Sequence, residues 1–109
     1  MRPIPKKLKD EMDSDPYYHQ CSRSSEGACG GRITWEHAFV YAGKQINERW
    51  AIIPLCVFHH LGEGLNKELN QYLALCRATI SELAKYSRTN WWQQFMYLHG
   101  KFSGYPQRF

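Results

Sequence analysis

With 109 residues, 22% of them charged and 15% aromatic, the chain is one domain's worth of folded protein and not a disordered tail. No apolar run approaches the ~20 residues of a bilayer span, and MRPIPKKLKDEMDSD has no hydrophobic core, so no membrane association and no signal peptide are expected. The formal net charge of +4 suits a nucleic-acid partner without demanding one.

Residues 1–16 read as a flexible basic arm. Pro3 and Pro5 interrupt regular structure, Lys6, Lys7 and Lys9 add charge, and Asp13-Ser-Asp-Pro16 signals a turn, leaving room for one helical turn over residues 7–12. A solvated tail is the favoured reading, with an arm along a phosphate backbone as the alternative. Residues 17–109 form a single domain. Cys21 to Gly31 is a loop whose glycines permit the tight, positive-φ turn of a metal knuckle. Arg32 to Trp35 alternates polar and apolar and predicts a strand. Trp50 to Leu55 predicts a second, and the two make a hairpin with a long connecting loop punctuated at Ala42-Gly43-Lys44.

Val57 to Leu61 can open a helix, weakened by Gly62 and Gly64. Leu65, Leu69, Tyr72, Leu73, Cys76, Ile80 and Leu83 then recur at helical spacing and predict a helix over about 65–86, with Cys76 on its apolar stripe. Asn90, with Gln93 as its capping partner, opens a last helix over about 90–100 that turns Trp91, Phe95 and Leu98 to one side and stops at Gly100. Ser103 to Phe109 is expected to be an irregular tail.

The four cysteines, in a chain expected to be cytoplasmic and reduced, are better read as metal ligands or core than as disulfides. Cys56 and His59 are in the spacing C-x2-H, which lets both reach one ion from the start of a helix. Cys21 and Cys29 supply an upstream pair, and the four together predict a structural zinc site. His19, close to Cys21, is an alternative for its position. Glu36-His37 is a different chemistry: a carboxylate suited to a hard cation beside an imidazole free to act as a base. His60 follows zinc ligand His59 and, on a helix, points about 100° away from it, so that neighbours can serve two sites.

The constellation over about residues 21–64 resembles the HNH, or ββα-metal, endonucleases in their zinc-knuckle form, especially small phage and prophage members. Glu36-His37 is similar to the acidic-or-His plus His pair that ends the family's first strand. Leu55-Cys56-Val-Phe-His59-His60 is similar to its Leu-Cys-x-x-Cys-His, with His59 for the second cysteine. The resemblance implies an α+β fold: a zinc-stapled, treble-clef-like ββα unit with two additional C-terminal helices. It also implies a metal-dependent DNA endonuclease in which Glu36 and His60 hold a catalytic Mg²⁺, Mn²⁺ or other divalent cation and His37 is the general base. Two departures stand out. The family's Asn position is Ala51 here, with Asn47 nearby as the orienting residue. A further ligand position one turn beyond His60 is Gly64, with Glu63 the acidic candidate. Arg32, Lys44 and Arg49 are reasonable phosphate contacts, and equally ordinary surface charges. The expected partners are DNA and a phage replication, recombination or packaging protein in the cytoplasm of a bacterial host. The alternative is a non-catalytic zinc module with a degenerate site that binds DNA or protein.

Overall fold

The computed structural model of the chain describes residues 4–27, 29–62 and 64–105. Its organising element is an antiparallel pair, β1 (Ile33–His37) and β4 (Ile52–Cys56), in register from Ile33 opposite Cys56 to His37 opposite Ile52. All five β4 residues are buried, as its apolar run requires. Pro54, inside that strand, has no N–H to give, but its carbonyl accepts the Ser22 N–H at 2.8 Å and ties the Cys21 loop to the sheet edge.

The connection between the strands is closed at its neck by Ala38 N–H donating to the Ala51 carbonyl at 2.8 Å. Within it lies a second hairpin, β2 (Val40–Tyr41) with β3 (Lys44–Gln45), whose turn has φ of 52° at Ala42 and 79° at Gly43. Two positive φ values match the twist of a tight hairpin, and Ala42 carries the strain that glycine would avoid. A single 3-10 turn, Arg49–Ala51, then drops Trp50 into the core.

After β4 the chain turns once through α2 (Val57–His60) and continues as α3 (Lys67–Arg77), α4 (Ile80–Ala84) and α5 (Trp91–Phe102). Trp50 centres the main core, edge-on to Trp91 at 5.8 Å and tilted against Phe39 at 5.9 Å. Leu69, Tyr72 and Leu73 of α3 and Leu98 of α5 complete it. Trp91 and Phe95 pack on it as the helical spacing predicts, and Cys76 is half-buried against it.

Three expectations need correcting. The stretch read as an arm contains α1 (Lys6–Asp13), whose Met12 is fully buried in a second cluster with Tyr17, Tyr18 and Ile52. The helix expected over 65–86 is two helices. The chain leaves α3 at Ala78, and Thr79 opens α4 with a reciprocal capping box to Glu82. Ile80, assigned to the apolar stripe, is consequently 89% exposed. Finally, α5 runs through Gly100 to Phe102. Asn90 caps it by accepting the Gln93 N–H at 3.0 Å, as expected. Beyond it, within the predicted tail, Tyr105 donates to Glu26 at 2.6 Å; residues 106–109 lie outside the described residues. Among the described residues no helix is long and apolar enough to cross a membrane.

Candidate metal centre and adjoining cleft

Cys56 ends β4 and His59 lies in the single turn of α2, so the C-x2-H spacing brings both to one point. That turn is held by the knuckle itself: Val57 and Phe58 N–H groups, unpaired at any helix start, donate to the carbonyls of Arg32 and Gly30 at 3.1 Å each. Gly31, between them, has φ of 83°, and a Cβ there would sit 2.9 Å from Val57 Cβ. Across the turn, Cys21 and Cys29 complete a group whose four ligand atoms lie within 4.8 Å of one another.

The donor set fits a metal such as zinc. Zn–S near 2.3 Å and Zn–N near 2.0 Å at a tetrahedral angle separate nitrogen from sulfur by about 3.5 Å. His59 Nδ1 lies 3.1 Å from Cys56 Sγ, 3.4 Å from Cys21 Sγ and 3.8 Å from Cys29 Sγ. Burial holds His59 below its ordinary pKa, which keeps a neutral ring with a lone pair. Desolvation and the neighbouring thiols push Cys29 up to about 12. Burial works against the Cys56 thiolate too, but backbone N–H groups at His59 and Gly30 prevail and hold it below the usual thiol value. A cation would relieve the mutual repulsion of thiolates so close together. His19, the alternative to Cys21, points elsewhere: its Nε2–H donates to the Asp13 carbonyl at 2.7 Å.

Arg23 locks the centre from behind. It is 4% exposed, binds both carboxylate oxygens of Glu26, at 2.6 and 2.9 Å, and donates to the Gly64 carbonyl at 2.5 Å. Gly64 packs so tightly that a Cβ there would lie 2.5 Å from the Phe58 ring and 2.9 Å from His59 Cδ2. No side chain can therefore enter at position 64, where neighbouring rings fill the space, and Glu63 lies outside the described residues.

The second site opens at the end of β1. Thr34 and Glu36, two apart and so on one sheet face, both reach His60. Thr34 Oγ1 donates its only proton to the Leu55 carbonyl at 2.8 Å, so the 2.6 Å contact with His60 Nδ1 has the ring donating. His60 Nε2 is then a bare lone pair, 3.9 Å from Glu36 Oε1. Burial lowers the His60 pKa and leaves the ring neutral. Burial also pushes the Glu36 carboxyl up, against the opposing pull of the Asn70 hydrogen bond and of Lys67 and Arg23. Adjacent ligands of an octahedral Mg²⁺ lie roughly 3.0 Å apart and opposite ones roughly 4.2 Å; the 3.9 Å of this pair falls between the two, so the side chains would have to shift to hold such an ion.

His37, at the strand end, meets Asn47: Nε2 lies 2.6 Å from Oδ1. Since Oδ1 only accepts, Nε2 carries a proton, and in the neutral ring Nδ1 is the bare nitrogen. Both Glu36 and His37 line a cleft of about 330 Å³ whose far wall is Lys67, Asn70 and Gln71 of α3. Asn70 donates to Glu36 Oε2 at 2.6 Å. Of the proposed phosphate contacts, Arg32 and Lys44 are exposed, whereas Arg49 pairs with Asp15 and lies over the Tyr18 ring. A phosphate would compete with that carboxylate.

Sequence reasoning missed Arg23, Lys67 and Asn70. Arg23 sat in a loop with little apolar content, and Lys67 and Asn70 reach the cleft only through the packing of α3. No family model matches the chain, and neither curated proteins nor solved structures provide a match.

Proposed function

We propose that the chain is a metal-dependent DNA endonuclease of the HNH type, with zinc in the Cys21, Cys29, Cys56 and His59 cluster as a structural staple. One observation carries the reading. Adjacent His59 and His60 diverge, one to the cysteine cluster and the other to Glu36, beside a histidine whose basic nitrogen is left free by Asn47.

The residues divide the work as follows. Glu36 Oε1 and His60 Nε2 hold a divalent cation such as Mg²⁺ or Mn²⁺. That cation supplies charge against the negative charge developing on the scissile phosphate and the leaving 3′ oxygen. His37 Nδ1 takes a proton from the attacking water as its oxygen bonds to phosphorus and the bond to the 3′ oxygen breaks. Asn47 fixes the His37 tautomer and ring. Lys67 at the cleft wall, with Arg32 and Lys44 outside it, binds neighbouring phosphates. Among the described residues no helix carries an obvious row of Arg, Asn and Gln for a major groove, so backbone and shape readout is the expected mode.

The second reading, a non-catalytic zinc module that binds DNA or protein, is favoured by Gly64. With no side chain there, Glu36 and His60 are the two protein ligands among the described residues. Nicking of supercoiled plasmid by zinc-loaded protein, with Mg²⁺, Mn²⁺ or no added cation, separates the two. Wild type is expected to nick only with the cation, and His37→Ala, with zinc content and circular dichroism unchanged, is expected to lose about 10²–10⁴-fold in rate. DNA binding without cleavage under any cation would leave the binding module.

A further inference from the structure

We infer that Asn70, on α3 and outside the span that resembles the nucleases, is a positioning residue for the cation site, an inference that rests on the reading of Glu36 and His60 as cation ligands. Asn70 is 1% exposed, and its Nδ2 donates to Glu36 Oε2 at 2.6 Å. Its Oδ1 is buried without a hydrogen-bond partner among the described residues. An amide with one half unpaired in the interior lowers stability. Leucine would avoid that loss, but Glu36 Oε2 would then lose its donor. What the amide provides is a fixed carboxylate.

The terminal torsion of a glutamate is broad, so an untethered carboxylate presents either oxygen. Asn70 holds Oε2 on the α3 side, which leaves Oε1 as the oxygen 3.9 Å from His60 Nε2. Thr34 does the same for the other ligand by engaging His60 Nδ1 at 2.6 Å. Each ligand atom thus faces the gap because its partner atom is bound elsewhere. Metal-ligating groups are oriented in this way by outer partners, and the loss of such a partner costs roughly 10–100-fold in metal affinity. The unpaired Oδ1 adds an acceptor beside a cleft of about 330 Å³ that Asn70 itself lines.

The test is a Mn²⁺ titration of the zinc-loaded protein, read from the electron paramagnetic resonance signal of free Mn²⁺, with thermal unfolding in parallel. Wild type, Glu36→Gln, Asn70→Ala and Asn70→Leu are compared. Wild type is expected to bind Mn²⁺ and Glu36→Gln to lose it. Both Asn70 variants are expected to bind about 10–100-fold more weakly, with a cooperative thermal transition showing that each is folded. Affinity within twofold of wild type in Asn70→Leu overturns the inference and leaves the cation site in place. No Glu36-dependent Mn²⁺ binding in wild type overturns both. Weakened Mn²⁺ binding in the variants, beside a wild type that binds but never nicks plasmid, supports the positioning role and removes the nuclease reading alone.

Discussion

The tautomers of two histidines decide which ring nitrogens beside Glu36 stay bare. His60 gives its Nδ1 proton to Thr34, and His37 gives its Nε2 proton to Asn47, so each ring keeps one bare nitrogen. Neither arrangement needs a charged imidazole, and burial around His60 discourages one. Asn47→Leu removes the acceptor while keeping the bulk. The His37 ring then loses its anchor and its tautomer preference, and the nicking rate is expected to fall on the order of tenfold or more, short of the 10²–10⁴-fold expected for removing the base. Asn47→Asp keeps an acceptor and is expected to retain activity. Equal rates for wild type and Asn47→Leu would show that Asn47 does not orient the base.

At the scale of elements, the two strands and the last helix were legible because their signals are local. β-branched and aromatic runs mark β1 and β4, and Asn90 with its periodic aromatics marks α5. The break between α3 and α4 had a local signal as well, Thr79-Ile-Ser-Glu82, but the apolar spacing of Ile80 and Leu83 imitates one continuous helix. The chain resolves the conflict in favour of the cap, at the expense of exposing Ile80. The docking of α1 had no local signal. It depends on Met12 meeting Ile52, Tyr17 and Tyr18, contacts that only the fold creates. Met12→Ala should therefore cost about 2–5 kcal/mol, as buried large-to-small changes do, and lower the melting temperature without loss of zinc. A melting temperature equal to wild type would mean that α1 contributes nothing. A further element contact has a pH signature. Burial and the Glu48 carboxylate, to which its hydroxyl donates, push Tyr86 up to about 12. Its folded pKa lies above the ordinary value of about 10, so the contribution is complete below pH 10 and is lost as pH rises toward 12. Tyr86→Phe is expected to show a weaker loss of stability than wild type across that interval in denaturant titrations.

For the whole molecule, β4 is the member that every part shares. Ile52 belongs to the α1 cluster, while Ile53, Leu55 and Cys56 belong to the core beneath α3 and α5. The same strand ends in the metal cluster at Cys56, and through Pro54 it anchors the loop that carries Cys21 and Arg23. The cysteine cluster could be read from spacing, but its hold on the distant helices could not, because that coupling passes through side chains on the buried faces of one strand. A zinc site of this kind supplies about 10–16 kcal/mol of apparent free energy, as much as or more than the 5–15 kcal/mol net stability of a typical domain. Removing the metal should therefore leave no margin for a locally frayed knuckle beside an intact helical core. A strong chelator is expected to abolish the near-ultraviolet circular dichroism of Trp50 and Trp91, which meet edge-on at 5.8 Å where half-buried Trp91 packs on the core, in the same transition that releases zinc. Readdition of Zn²⁺ should restore it. If the tryptophan signal survives complete zinc release, α3 and α5 hold β4 without the staple, and the two halves of the fold are energetically separate.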